Sequence, residues 1–330
     1  MKNKNLIYIA LILGLGLAAY LLNTSEYSIT RTDRRDFAIA DTSQVVKIVL
    51  TSKAPEVAVL DRVNESSWTV NEIYKARKSG VFYLLKTLQR MEIAHPVPLT
   101  MRDNVLGNLA VRGIKVQVTL SNGDEKTFYV GGENQDLTAT FMMLQGATDP
   151  YGIHIPGFQG YLSSRFYTQE YLWRDKNVMN YDNREITSVK MQYHGVNKKQ
   201  ESFEIHKSES GYELKGFNTD EVYAHNSQKL STYLASFRKL YSESFVSGNL
   251  NTDSLLLVKP MFDLKVVNQK EDETHIKVFY KRAAPGTIVD GDITMRDPER
   301  MYALVNGEDW MILQLNTFEK VMKELSYLKE

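Results

Sequence analysis

Apolar residues recur at helical spacing in two separate stretches of the chain. In KLSTYLASFRKLYSESF, residues 229–245, Leu230, Tyr233, Leu234, Phe237 and Leu240 stand three or four apart. The spacing predicts one amphipathic helix, centred on residues 229–241. In GVFYLLKTLQRMEIAHPV, residues 80–97, Val81, Leu84, Leu85, Leu88 and Met91 hold matching places. A helix is expected there from Gly80 to about Glu92, with the prolines of HPVP stopping it, since proline cannot continue a helix.

The strands around these helices follow one order twice. VVKIVLTS, EVAVLDRV and SSWTVNE read as three strands, the last carrying Trp68. EITSVKMQYHG, ESFEIHKSES and GYELKG read as three more, with Tyr212 in the place of Trp68. A hairpin follows each helix. In RGIKVQVTLSNGDEKTFYVGG, Asn122-Gly123 is a strong turn pair. Its counterpart is MFDLKVVNQKEDETHIKVFYKRA. Next, ATFMMLQGATDPYGIHI matches RMYALVNGEDWMILQ. Last, GFQGYLSSRF matches NTFEKVMKEL, both read as helical. Phe158, Tyr161, Leu162 and Phe166 form one stripe, and Phe318, Val321, Met322 and Leu325 the other.

Strands in hairpins with helices on a face predict an α+β fold of mainly antiparallel sheet. The expected plan is two tandem similar domains, residues 45–180 and 181–330. The repeat unit is a whole domain rather than a short solenoid module. YLWRDKNVMNYDNREI joins the two, and Trp173 is expected at their seam or in a core.

Before the domains lies a different pattern. Residues 1–5 are a polar tail with Lys2 and Lys4, and residues 6–22 run apolar. At about 1.5 Å per residue this run spans roughly 25 Å, enough for a thin bilayer. It reads as a secretory signal or a membrane anchor. The run passes beyond the loose cleavage site at Gly16-Leu17-Ala18, which favours an uncleaved transmembrane helix. Ala10, Gly14 and Ala18 lie four apart and form a small-residue face for helix packing. Residues 23–44 are a polar tether. The basic tail before the run resembles an export signal. The expected location is therefore the inner (cytoplasmic) membrane, single-pass, with the body in the periplasm.

Composition narrows the function. Lys+Arg and Asp+Glu both number 40. A balanced charge argues against a nucleic-acid partner, which needs a basic surplus. There is no cysteine. That excludes disulfides, thiol nucleophiles and cysteine zinc sites.

Catalytic signatures are missing from the sequence. His95, His154, His194, His206, His225 and His275 never stand as H-x-H or H-E-x-x-H. No G-x-S-x-G elbow occurs. IVDGDITMRDPER carries Asp290, Asp292 and Asp297, but Gly291 is too early for a calcium loop and no closing Glu is in register. The segment has no partner of equal length in the first half, and insertions of that kind often mark a functional face. No catalytic residue, cofactor or metal is expected. Aromatics are abundant, with 19 Tyr and 3 Trp. Tyr161 and Phe166 fit a core stripe, which leaves Tyr151, Tyr167 and Tyr171 as candidate surface aromatics for a glycan or a protein.

YLWRDKNVMNYDNREITSVKMQY, GYELKG and QKLSTYLASFRKLYSESFV together resemble the bacterial family known as domain of unknown function 4340. RDFAIADTSQVVKIVLTS, SSWTVNE and VFYLLKTLQRMEI look like a first copy. The resemblance covers most of residues 36–246, and more loosely the rest, in element order and apolar spacing. It implies a cell-envelope protein with an N-terminal membrane segment. It also implies integral membrane partners of an envelope complex, since some members accompany ABC transporters of the gliding type. It brings no agreed active site. The expected function is an accessory or scaffold subunit; the alternative is a glycan- or peptidoglycan-binding module.

Overall fold

The computed structural model describes residues 37–248 and 250–330. The chain divides into two compact units, with the boundary after Arg174.

The first unit is built on nine strands: β1 (Val45–Thr51), β2 (Val57–Asn64), β3 (Ser67–Val70), β4 (Tyr74–Lys75), β5 (Glu92–Pro96), β6 (Ile114–Leu120), β7 (Glu125–Glu133), β8 (Thr140–Leu144) and β9 (Tyr151–His154). All pairings in this sheet are antiparallel, and the order is β4-β3-β2-β1-β6-β7-β8-β9-β5. Helix α1 (Lys78–Arg90) joins β4 to β5, and helix α2 (Leu99–Arg112) joins β5 to β6.

Alternation along the strands sends successive side chains to opposite faces. Ile48, Leu50, Leu60, Trp68, Val118, Phe128 and Met142 pack with Val81, Leu84 and Leu88 of α1 in one core. Leu84 and Leu88 are fully buried. Each such side chain contributes roughly 1.5–3 kcal/mol. On the other face of β7 and β8, Tyr129, Phe141 and Met143 meet Val105 and Leu109 of α2. The two helices therefore cover opposite faces of the sheet.

The second unit also has a sheet of nine strands: β10 (Ile186–Tyr193), β11 (Phe203–Ser208), β12 (Gly211–Gly216), β13 (Val222–Tyr223), β14 (Ser244–Phe245), β15 (Phe262–Asn268), β16 (Glu273–Arg282), β17 (Arg296–Val305) and β18 (Asp309–Gln314). Its order is β13-β12-β11-β10-β15-β16-β17-β18-β14, again antiparallel throughout. Numbered within its own unit, each sheet reads 4-3-2-1-6-7-8-9-5. Helix α3 (Ser227–Ala235) joins β13 to β14. Its Leu230, Tyr233 and Leu234 are buried beside Phe203, and the Tyr233 hydroxyl donates to the Val321 carbonyl.

Several expected elements are corrected. The helix expected over residues 229–241 is α3 and ends at Ala235. The Ser236 and Phe237 N–H groups still turn back to the Tyr233 and Leu234 carbonyls, but further on the backbone bonds to residues 176–180: the Lys239 N–H donates to Asn180 Oδ1, and the Ser242 N–H to the Lys176 carbonyl. Lys239 takes a left-handed φ of 55°, and residues 240–241 pair with 177–179 as a short ladder. Phe237 and Leu240 are still buried. A turn and a strand thus place the same residues inside that a helix would have.

GFQGYLSSRF is not a helix. Gly157 and Gly160 hold φ of 77° and 136°, and only a 3-10 turn at Ser163–Arg165 forms. Leu162 and Phe166 of the expected stripe are buried, but Phe158 and Tyr161 are exposed. NTFEKVMKEL forms one helical turn at Leu315–Phe318, and a second turn begins at Leu325. Trp173 is a core residue of the first unit, fully buried.

Among the described residues no helix is long and apolar enough to cross a membrane. The expected anchor at residues 6–22, with Ala10, Gly14 and Ala18, lies outside the described residues.

Candidate functional site

Arg77 is the residue that opens α1. Its N–H donates to the Trp173 carbonyl at 2.6 Å, which fixes the entry of the chain into the helix. No side chain caps this helix, and its first turn contains no acidic residue. Helix N-termini carry partial positive charge and ordinarily attract carboxylates. Here they carry Arg77 and Lys78.

The Arg77 guanidinium folds back over Gly80. A Cβ at Gly80 would lie 3.3 Å from Arg77 Nε, so the glycine makes room for it. One terminal nitrogen donates to the Tyr167 hydroxyl at 3.1 Å. Nε is buried and has no hydrogen-bond partner among the described residues.

A second guanidinium faces the same space. Arg165 leaves the 3-10 turn, donates to Thr87 Oγ1 at 2.8 Å and stacks over Phe158 at 4.5 Å. Thr140, buried under that turn, accepts the Leu162 N–H at 2.6 Å and the Ser163 N–H at 3.3 Å, and so holds it. Burial pushes the Arg165 guanidinium below its ordinary pKa; nearby Tyr83 acts in the opposite direction. Between the arginines lies a cavity of about 350 Å³, lined also by Ser79, Tyr83, Ser164 and Tyr167. No carboxylate lines it, and neither arginine forms a salt bridge among the described residues.

In the second unit three strands bring together His194, Asp263 and His275. His194 follows β10, Asp263 lies on β15 and His275 on β16. Asp263 Oδ2 is 2.5 Å from His194 Nε2, and Oδ1 is 3.0 Å from His275 Nε2. One carboxylate thus orients two imidazoles. Among the described residues no hydroxyl is hydrogen-bonded to either ring. Among the described residues no group of three or more His, Asp or Glu side chains, this one included, is placed to hold a metal ion.

The connection between β16 and β17, residues 283–295, contains a small hairpin. Ile288–Val289 pairs with Asp292–Ile293 across Asp290 and Gly291, whose φ values are 51° and 92°. An Asp-Gly pair with both φ positive is the two-residue turn that suits strand twist. Ile288, Ile293 and Met295 are 64%, 75% and 73% exposed. The equivalent connection between β7 and β8 is residues 134–139. Asp297 is engaged structurally, accepting from Lys281 Nζ and from the N–H groups of Glu299 and Arg300.

The candidate aromatics are separated. Tyr167 lines the cavity in the first unit. Tyr151, on β9, is half-buried, its ring T-shaped to that of Phe37 with centroids 6.5 Å apart. Tyr171 is half-buried in the short helix Glu170–Trp173. Arg77, Arg165 and the His194–Asp263–His275 group were not foreseen from the sequence. The one available signal for the cavity was Arg77-Lys78 at a helix start with no acid in the first turn, against the usual charge bias.

The chain belongs to the family described as Domain of unknown function (DUF4340), whose profile matches residues 68–260. The match begins in β3 of the first unit and ends before β15 of the second. No curated protein and no solved structure matches the chain.

Proposed function

We propose that this chain is a membrane-anchored accessory subunit of a cell-envelope complex. It works by protein contact rather than by catalysis. In this reading two tandem copies of one α+β domain, held in the periplasm by residues 6–22, engage an integral membrane partner of the ABC-transporter kind. The shared strand order of the two sheets supports the duplication. The apolar run and the envelope setting that the family resemblance implies support the location.

The observation that carries the contact reading is the hairpin of residues 283–295. Ile288 and Ile293, paired across the two-stranded ribbon, and Met295 at its base are large exposed apolar side chains that are costly to leave in water, and such clusters mark protein contact sites. The ribbon is too short to be stable by itself and gains no core by being there. Its apolar residues are therefore explained by a partner and not by folding.

Brief cross-linking in cells, mild detergent extraction and mass spectrometry of the tagged full-length chain test the reading. A stoichiometric integral membrane protein is expected. A chain extracted alone would remove the accessory-subunit reading. Ala10, Gly14 and Ala18 are a second contact in this account, and Gly14→Leu is expected to lower the partner's yield.

A further inference from the structure

We propose that the cavity between Arg77 and Arg165 binds a phosphate group, as the inorganic ion or a monoester. The inference stands independently of the accessory-subunit reading.

Among the described residues the two guanidiniums at the cavity have neutral partners only, Arg77 bonded to Tyr167 and Arg165 to Thr87 with Phe158 against it. Both residues are half-buried, and charged groups partly withdrawn from water normally find an opposite charge. Here, among the described residues, none lines the cavity, and the buried Nε of Arg77 has an N–H with no acceptor. Guanidinium is the side chain best shaped for bidentate bonds to phosphate oxygens. A phosphate monoester carries about −1.5 to −2 at neutral pH, which matches two arginines. Ser79, Ser164 and Tyr83 add hydroxyl donors around it. A single carboxylate would satisfy one arginine and leave the other uncompensated. The space of about 350 Å³ admits the phosphate and a small attached group.

The full-length chain in dodecyl maltoside micelles is titrated calorimetrically with inorganic phosphate at low ionic strength. Saturable binding at one site is expected. Arg165→Gln and Arg77→Gln each weaken it by about tenfold or more, the effect of losing a charge-assisted hydrogen bond. Lys270→Gln, on an exposed turn, leaves it unchanged. If Arg77→Gln does not fold, Arg165→Gln alone decides. Repeating the titration in micelles doped with phosphatidic acid separates the sources: a blocked site assigns a lipid head group, and an unchanged one assigns a soluble phosphate. Absence of saturable binding overturns the proposal, as does equal affinity in wild type and Arg165→Gln. Tighter, Arg165-dependent binding of succinate than of phosphate would overturn the phosphate assignment.

Discussion

The Tyr167 ring lies 4.3 Å from that of Trp173, and its hydroxyl accepts a hydrogen bond from Arg77. Trp173 in turn donates through Nε1 to the Tyr167 carbonyl at 2.9 Å. A buried tryptophan thus positions the tyrosine that positions the arginine. Removing Trp173 leaves a large void in the first unit. Trp173→Ala is expected to cost about 3–5 kcal/mol in urea unfolding. Tyr167→Phe keeps the stacking and removes only the acceptor, so it should cost about 0.5–1.5 kcal/mol. Equal losses in the two variants would show that the stacking does not support the fold.

Thr140 holds the turn that carries Arg165. Its hydroxyl oxygen accepts two backbone N–H groups, and the side chain is fully buried. Thr140→Val keeps the shape and leaves both donors without an acceptor. A loss of about 1–3 kcal/mol is expected by chemical denaturation. An unchanged midpoint would mean that the turn is held by other contacts.

Asp263 joins the ends of three strands of the second unit through His194 and His275. Asp263→Ala should destabilise this unit by about 1 kcal/mol, the lower end of the range, because the group is partly exposed. In a double-mutant cycle, Asp263→Ala and His194→Ala should couple by about 0.5 kcal/mol or more. Strict additivity would show that the short contact adds nothing to stability.

Acid should weaken the second unit. Burial alone would raise the Glu204 carboxyl, but hydrogen bonds from Lys190, His206 and the Asn218 N–H outweigh it and hold its pKa below 4.5. Burial is likewise outweighed at Asp297 by Lys281 and the Glu299 N–H, and its pKa lies below 3.8. Both folded-state pKa values are depressed. Their stabilising contribution is therefore present above the unfolded values and is lost as the pH falls through the folded ones. Thermal unfolding followed below pH 5 should show the loss. Glu204→Gln with Asp297→Asn should flatten that acid limb; an unchanged limb would place the acid sensitivity elsewhere.

Strand content was legible because half-buried strands alternate and turns use special residues. Asn122-Gly123 at the β6–β7 turn is one case, and buried Trp68 and Val70 alternating with Ser67 and Thr69 is another. The helix boundaries were less so. Residues 236–241 keep a helical apolar period, yet from Lys239 on the backbone bonds to residues 176–180, a tertiary choice that local spacing does not encode. Helix α2 was not anticipated: Leu99 and Val111 are exposed, and its buried face offers only Val105 and Leu109. The paired arginines lie 88 residues apart in sequence, and the imidazoles of His194 and His275 meet through a third strand. Such sites come from topology, which no spacing rule reaches. The insertion at IVDGDIT was visible by length alone; the exposure of its apolar side chains was not.

The most direct test of the central claim is co-purification of the hairpin variant Ile288→Ser/Ile293→Ser/Met295→Ser from cross-linked cells. These side chains are exposed, and surface changes of this kind alter stability by only about 0.5 kcal/mol each. The variant should therefore fold with an unchanged melting curve. The account predicts that a membrane partner recovered with the wild-type chain is lost or strongly depleted from the folded variant. Full recovery of that partner with the variant would contradict it.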